Sequence, residues 1–133
     1  MSAEEIFAQR MRLGRLFDIY GGLLTAKQKQ CLGLYFYDDL SLSEISEELG
    51  VSRQAVHDLL KRVEQLLERY EASLKVLSRE EELHAKLQQA IDLLATPDEA
   101  KKDEAVQMLK ELCSEGRWIE WHLKVYLKDY KMH

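Results

Sequence analysis

A single proline and six glycines interrupt 133 residues, and no segment alternates apolar with polar side chains for long enough to make a strand, so sheet-based folds are excluded first. Two cysteines, Cys31 and Cys113, stand far apart, each inside an apolar helical pattern. They exclude a disulfide framework and are expected to be buried thiols that pack as small hydrophobes. No apolar run approaches the roughly 20 residues that span a bilayer, so no membrane contact is expected. The opening MSAEEIFAQRMR has early acids and no continuous apolar stretch, unlike a secretory signal, which makes a soluble, cytoplasmic protein the expectation. His57, His84, His122 and His133 have no metal-ligand spacing with each other or with the cysteines, so no metal is expected. With no glycine-rich phosphate loop and no G-x-S-x-G turn, no cofactor and no enzyme activity are expected either.

What remains is rich in Leu, Glu, Lys, Ala and Gln, with 46% hydrophobic and 32% charged residues, and reads as an all-α chain. A first helix is expected from Ala3 to Tyr20, with Ile6, Phe7, Leu13, Leu16, Phe17 and Tyr20 apolar, ending at Gly21-Gly22. Thr25 then caps a helix through Tyr37 whose inner face includes Cys31, Leu32, Tyr35 and Phe36. Ser41 and Glu44 make a capping box for a short helix from Leu42 to Leu49, Gly50 turns the chain, and Ser52 caps the next helix. Apolar residues from Ala55 and Val56 through Leu67, Tyr70 and Leu74 continue to Leu77 at steps of three and four. A helix from Arg53 to Leu77 is about 37 Å long, and its far half needs a partner from a C-terminal helix or a second copy. Ser78 and Glu81 offer a further capping box, and Thr96-Pro97 starts a helix to about Ser114. The last stretch, RWIEWHLKVYLKDY, reads as an aromatic-rich helix. The domain expectation is a helix-turn-helix domain over 1–77 and a helical extension over 78–133 for docking or dimerisation.

The informative stretch is SLSEISEELGVSRQAVHDLLKR, Ser41 to Arg62. Ile45, Leu49, Val51, Val56 and Leu59 fall at inward positions, Ser46 at the close approach and Gly50 in the turn, as two short helices packed at a steep angle require. In the DNA-binding use of this geometry the second helix enters the major groove. Its outward Arg53, Gln54, His57 and Lys61 are candidate base contacts, with Asp58 among them, and Ser52, Lys61 and Arg62 are candidate phosphate contacts. The plainer reading is the solvated face of a surface helix. Charge weighs against DNA: the chain carries −5, and residues 1–77 hold 10 basic against 12 acidic residues, whereas nucleic-acid affinity comes largely from basic surfaces. Arg53 to Arg62 nevertheless has three bases and one acid.

The piece LTAKQKQCLGLYFYDDLSLSEISEELGVSRQAVHDLLKRVEQLLERYEASL closely resembles the YlxM-type family of small bacterial helix-turn-helix proteins, with a core like the promoter-reading region of bacterial sigma factors. The resemblance covers roughly Ala3 to Leu94, and the segment from about Thr96 to His133 is expected to depart from it. It implies a sigma-like or winged-helix-like core of three to four helices and a part in the signal recognition particle pathway, either by regulating that operon through DNA or by contacting the particle. It brings no catalytic or cofactor residues. The leading expectation is a homodimeric DNA-binding regulator, paired through the stripe from Leu66 to Leu94. The alternative is a non-DNA-binding adaptor that contacts the particle's GTPase or RNA. A third treats Trp118, Trp121 and Tyr126 as a ligand pocket, against the plainer reading that they complete a core or a dimer interface.

Overall fold

The computed structural model describes residues 1–115 and Lys128. Over residues 1–115 six α-helices run in order: α1 (Ala3–Tyr20), α2 (Ala26–Phe36), α3 (Leu42–Leu49), α4 (Arg53–Leu74), α5 (Val76–Leu94) and α6 (Glu99–Glu115). Among the described residues there is no strand, and the fold is all-α. No helix among them is long and apolar enough to cross a membrane. The chain divides into two compact units, Met1–Arg79 and Glu80–His133.

Local chemistry sets most helix starts. Ser2 with Glu5, Thr25 with Gln28, and Ser41 with Glu44 each form a reciprocal capping box, in which two orphan backbone amides are satisfied at once. Ser52 caps α4 through one bond, its Oγ accepting from Ala55 N–H at 3.0 Å.

Two linked cores hold the first unit. Leu16, Phe17 and Tyr20 of α1 pack with Leu32 of α2, Val63 and Leu67 of α4, and Leu77 at the start of α5. Cys31, Ile45 and Val56 form the second, with Leu59 and Leu60 of α4 touching both. Burial holds the Cys31 thiol above its ordinary pKa, although Lys27 pulls the other way. The far half of α4 therefore packs against α1 and against Leu77 at the start of α5. Arg12 reinforces that crossing, donating from Nε and Nη2 to the two Glu68 carboxylate oxygens at 2.8 and 2.9 Å. The start of α1 runs beyond this contact, which leaves Ile6 and Phe7 exposed despite their apolar spacing.

Other boundaries also differ from expectation. The long helix stops at Leu74, because Lys75 adopts a left-handed conformation, φ 56°, and α5 starts immediately afterwards. Ser78 does not cap. Its N–H and Oγ both donate to Glu71 Oε2, at 3.0 and 2.9 Å, while Leu77 N–H and Tyr20 Oη donate to Glu71 Oε1 at 2.9 and 2.7 Å. Tyr20 Oη in turn accepts from Val76 N–H at 3.2 Å. A buried carboxylate two turns' reach away in the fold, rather than a local serine, satisfies the first amides of α5. Similarly, α6 begins at Glu99: Asp98 Oδ1 accepts from Ala100 N–H at 2.9 Å, and Thr96 Oγ1 instead donates back to the Leu93 carbonyl. In the second unit Ala90 and Ala105 are buried, whereas Cys113 is exposed, against the expectation of a buried thiol. The expected aromatic helix with Trp118, Trp121 and Tyr126 lies outside the described residues.

Candidate nucleic-acid interface

The turn between α3 and α4 depends on Gly50. At φ 67° and ψ 31° it sits in the region where a Cβ is strained, and its N–H and that of Val51 both return to the Ser46 carbonyl. The next residue but one, Ser52, caps α4, so only Gly50, Val51 and Ser52 separate α3 from α4. Ile45 and Val56, 0% and 1% exposed, close the angle between the helices over Cys31, and Leu42, Leu49, Val51 and Leu59 rim the contact.

That packing decides which side of α4 faces water. Val56, Val63 and Leu67 mark the buried edge, and each residue turns about 100° around the axis. Gln54, His57 and Lys61 consequently fall on the opposite side, and all three are exposed. Arg53 is exposed at the very start of the helix, where it lines a shallow groove with Leu42, Gln54 and His57. Arg62 is exposed about a quarter-turn on from Lys61, at the flank. Ser52 is also exposed; its Oγ already accepts from Ala55, which leaves its hydroxyl hydrogen for an outside acceptor. All six candidates are thus exposed in the N-terminal half of α4 and its cap, with Gln54 and Lys61 facing away from the core and Arg53 and Arg62 on opposite flanks. Ala55, which the apolar pattern places inward, is exposed as well.

Charge and hydrogen bonding differentiate the candidates. Arg53, Lys61 and Arg62 have no hydrogen-bond or ion-pair partner among the described residues, so their donors point to solvent. The α4 N-terminus adds the positive end of its helix dipole beside them. Gln54 and His57 are engaged by a residue that sequence reasoning left in the background. Gln54 Nε2 donates to Asp58 Oδ1 at 3.0 Å, and His57 Nδ1 lies 3.6 Å from the same oxygen. The four-residue spacing of Gln54 and Asp58 on a helix was the available signal. On α3, Glu44, Glu47 and Glu48 are exposed, so an acidic helix borders the cationic one. Among the described residues no group of His, Cys, Asp and Glu is placed to hold a metal ion.

A short capped helix, a left-handed glycine, a second capped helix and a polar outer face with free cations define a helix-turn-helix protein. Residues 7–111 match the family model described as "Putative helix-turn-helix protein, YlxM / p13 like", and the chain belongs to this family, UPF0122. The match runs to residue 111, so most of α6 lies inside the family pattern, which corrects the expectation that it ends near Leu94. A UPF0122 protein of Halalkalibacterium halodurans is 48% identical over 92 residues, 67% of this chain and 84% of its own. One of Bacillus pumilus is 45% identical over 101 residues, covering 76% and 90%. One of Latilactobacillus sakei is 53% identical over 78 residues, covering 59% and 69%.

Proposed function

We propose that this protein is a DNA-binding regulator that reads duplex DNA in the major groove with the first two turns of α4, and that the operon of the signal recognition particle pathway is its target. The observation that carries this reading is the outer side of α4: Arg53, Lys61 and Arg62 have no partner among the described residues, beside Gln54 and His57, on a helix whose other side is fixed against Ile45 and Cys31. Arginine pairs with guanine and glutamine with adenine through two bonds each, while Ser52, Lys61 and Arg62 hold phosphates. The role is binding, without catalysis.

Two copies of the chain act together in this reading. One recognition helix covers few base pairs, and a domain of net charge −2 over residues 1–77 gains little from nonspecific attraction, so avidity between paired sites supplies affinity. The surface we assign to pairing is the side of α5 that carries Leu83, Leu87, Ile91 and Leu94, which are 39% to 57% exposed. An apolar stripe along a helix about 28 Å long is more than isolated chains usually leave in water.

Mobility shift on the upstream region of its own operon, with the Arg53→Ala/Gln54→Ala variant as control, tests the reading. Binding with a sequence preference that the variant loses supports it; no binding at low salt refutes it. A second reading, an adaptor that contacts the particle's GTPase rather than DNA, is favoured by the exposed Glu44, Glu47 and Glu48 on α3, which suit a basic protein surface. Pull-down with that GTPase, with and without its RNA, separates the two.

A further inference from the structure

Asp58 sits in the middle of the proposed reading surface, with its side chain half exposed, one turn after Gln54 and one turn before Lys61 and Arg62. The same carboxylate oxygen holds the Gln54 carboxamide at 3.0 Å and approaches the His57 ring nitrogen at 3.6 Å. An acid at this place opposes the attraction to phosphate that a DNA-reading helix needs, and it belongs to neither core. Its contacts are made to two of the side chains that face the groove.

We propose that Asp58 is the positioning residue of the reading surface: it fixes the Gln54 carboxamide for adenine and lowers the affinity of the helix for unselected duplex. This rests on the DNA-reading function proposed above. A glutamine amide has two donor hydrogens and one acceptor oxygen. With one hydrogen given to Asp58, one donor and the carbonyl remain, the pair that adenine N7 and its N6 amino group require. The terminal torsion of a free glutamine is broad and nearly two-fold, so donor and acceptor exchange ends. A charge-assisted bond to a carboxylate is about twice as strong as a neutral one and selects one end.

The charge has a separate effect. Nonspecific binding comes almost entirely from cation–phosphate attraction, and the three cations of this segment, Arg53, Lys61 and Arg62, share it with this one acid. Asp58 therefore weakens binding to any duplex, while its hold on Gln54 is useful only where an adenine stands at the right place. The result is a larger ratio of specific to nonspecific affinity.

Asp58→Asn and Asp58→Ala, each in the wild-type and Gln54→Ala backgrounds, separate the two effects by fluorescence anisotropy. The probes are the duplex that the wild-type protein enriches from a randomised pool, the same duplex with its adenines changed one at a time, and unselected pool duplex. Both substitutions are expected to raise affinity for unselected duplex severalfold, an effect that shrinks as salt is added. Asp58→Ala is expected to lower the preference at one adenine position by about tenfold, whereas Asp58→Asn keeps most of it because the amide oxygen still accepts from Gln54. In the Gln54→Ala background Asp58→Ala changes that preference no further. An unchanged preference in Asp58→Ala, or an equal drop without Gln54, overturns this inference alone. A wild-type protein that enriches no duplex overturns the DNA reading and this inference with it.

Discussion

Replacing Glu71 with glutamine removes the carboxylate that joins α4, α5 and α1. Glu71 is 5% exposed and accepts four hydrogen bonds, from Tyr20 Oη, Leu77 N–H, Ser78 N–H and Ser78 Oγ. Burial pushes its pKa up, but the four donors outweigh burial and hold it at about 2, against an ordinary 4.5. A folded-state pKa below the unfolded one gives stability that is complete above about 4.5 and is lost as pH falls toward 2. The difference is worth about 3 kcal/mol at neutral pH. Glutamine keeps one acceptor oxygen for Tyr20 and Leu77, yet its amino group meets the Ser78 N–H donor to donor. Urea unfolding of the two proteins, followed by far-UV circular dichroism, reads the consequence. The wild type is expected to be more stable by about 3 kcal/mol at pH 6, and the gap to narrow by about 2 kcal/mol by pH 3. A gap that stays the same at both pH values, or one below about 1 kcal/mol at pH 6, refutes the role given to this carboxylate.

Two further outcomes follow from the geometry. Gly50→Ala places a Cβ in open space but at φ 67°, so backbone strain alone is expected to lower stability by about 1 kcal/mol, read by thermal melting; an unchanged melting temperature contradicts the strain. Leu87→Glu puts a charge in the exposed apolar stripe of α5 and is expected to convert a dimer to monomer in sedimentation equilibrium with helicity retained; an unchanged mass removes that side of α5 as the pairing surface.

The parts of the fold that were legible from the residues are those set by neighbours in sequence. Thr25, Ser41, Gly50 and Ser52 act within four residues of themselves, so their capping and turn roles can be read from spacing. The break at Lys75 cannot, because the residues around it are good helix formers and the donors and acceptors that stabilise it come from Tyr20 and Glu71, 56 and 7 residues from their respective partners Val76 and Ser78. Ser78 followed by Glu81 has the pattern of a capping box, but the tertiary carboxylate takes the hydroxyl first. Thr96 fails similarly, since Asp98 is closer to the first free amides of α6. For the candidate site, the inward Ile45 and Val56 fix the helix phase, the phase places Gln54, His57, Lys61 and Arg62 away from the core, and Arg53 is exposed by its place at the helix start. The coupling of Gln54 and His57 through one Asp58 oxygen depends on rotamers, which spacing alone leaves open.

The most direct measurement is the affinity of the full chain for the duplex upstream of its own operon and for a scrambled duplex, in wild type and in Arg53→Ala/Gln54→Ala, at low and physiological salt. Groove reading by α4 predicts that the wild type prefers the upstream duplex and that the double substitution reduces this preference by at least about tenfold, since each paired base contact is worth about 1–3 kcal/mol. Absence of binding at low salt, or a preference that survives the double substitution, contradicts it.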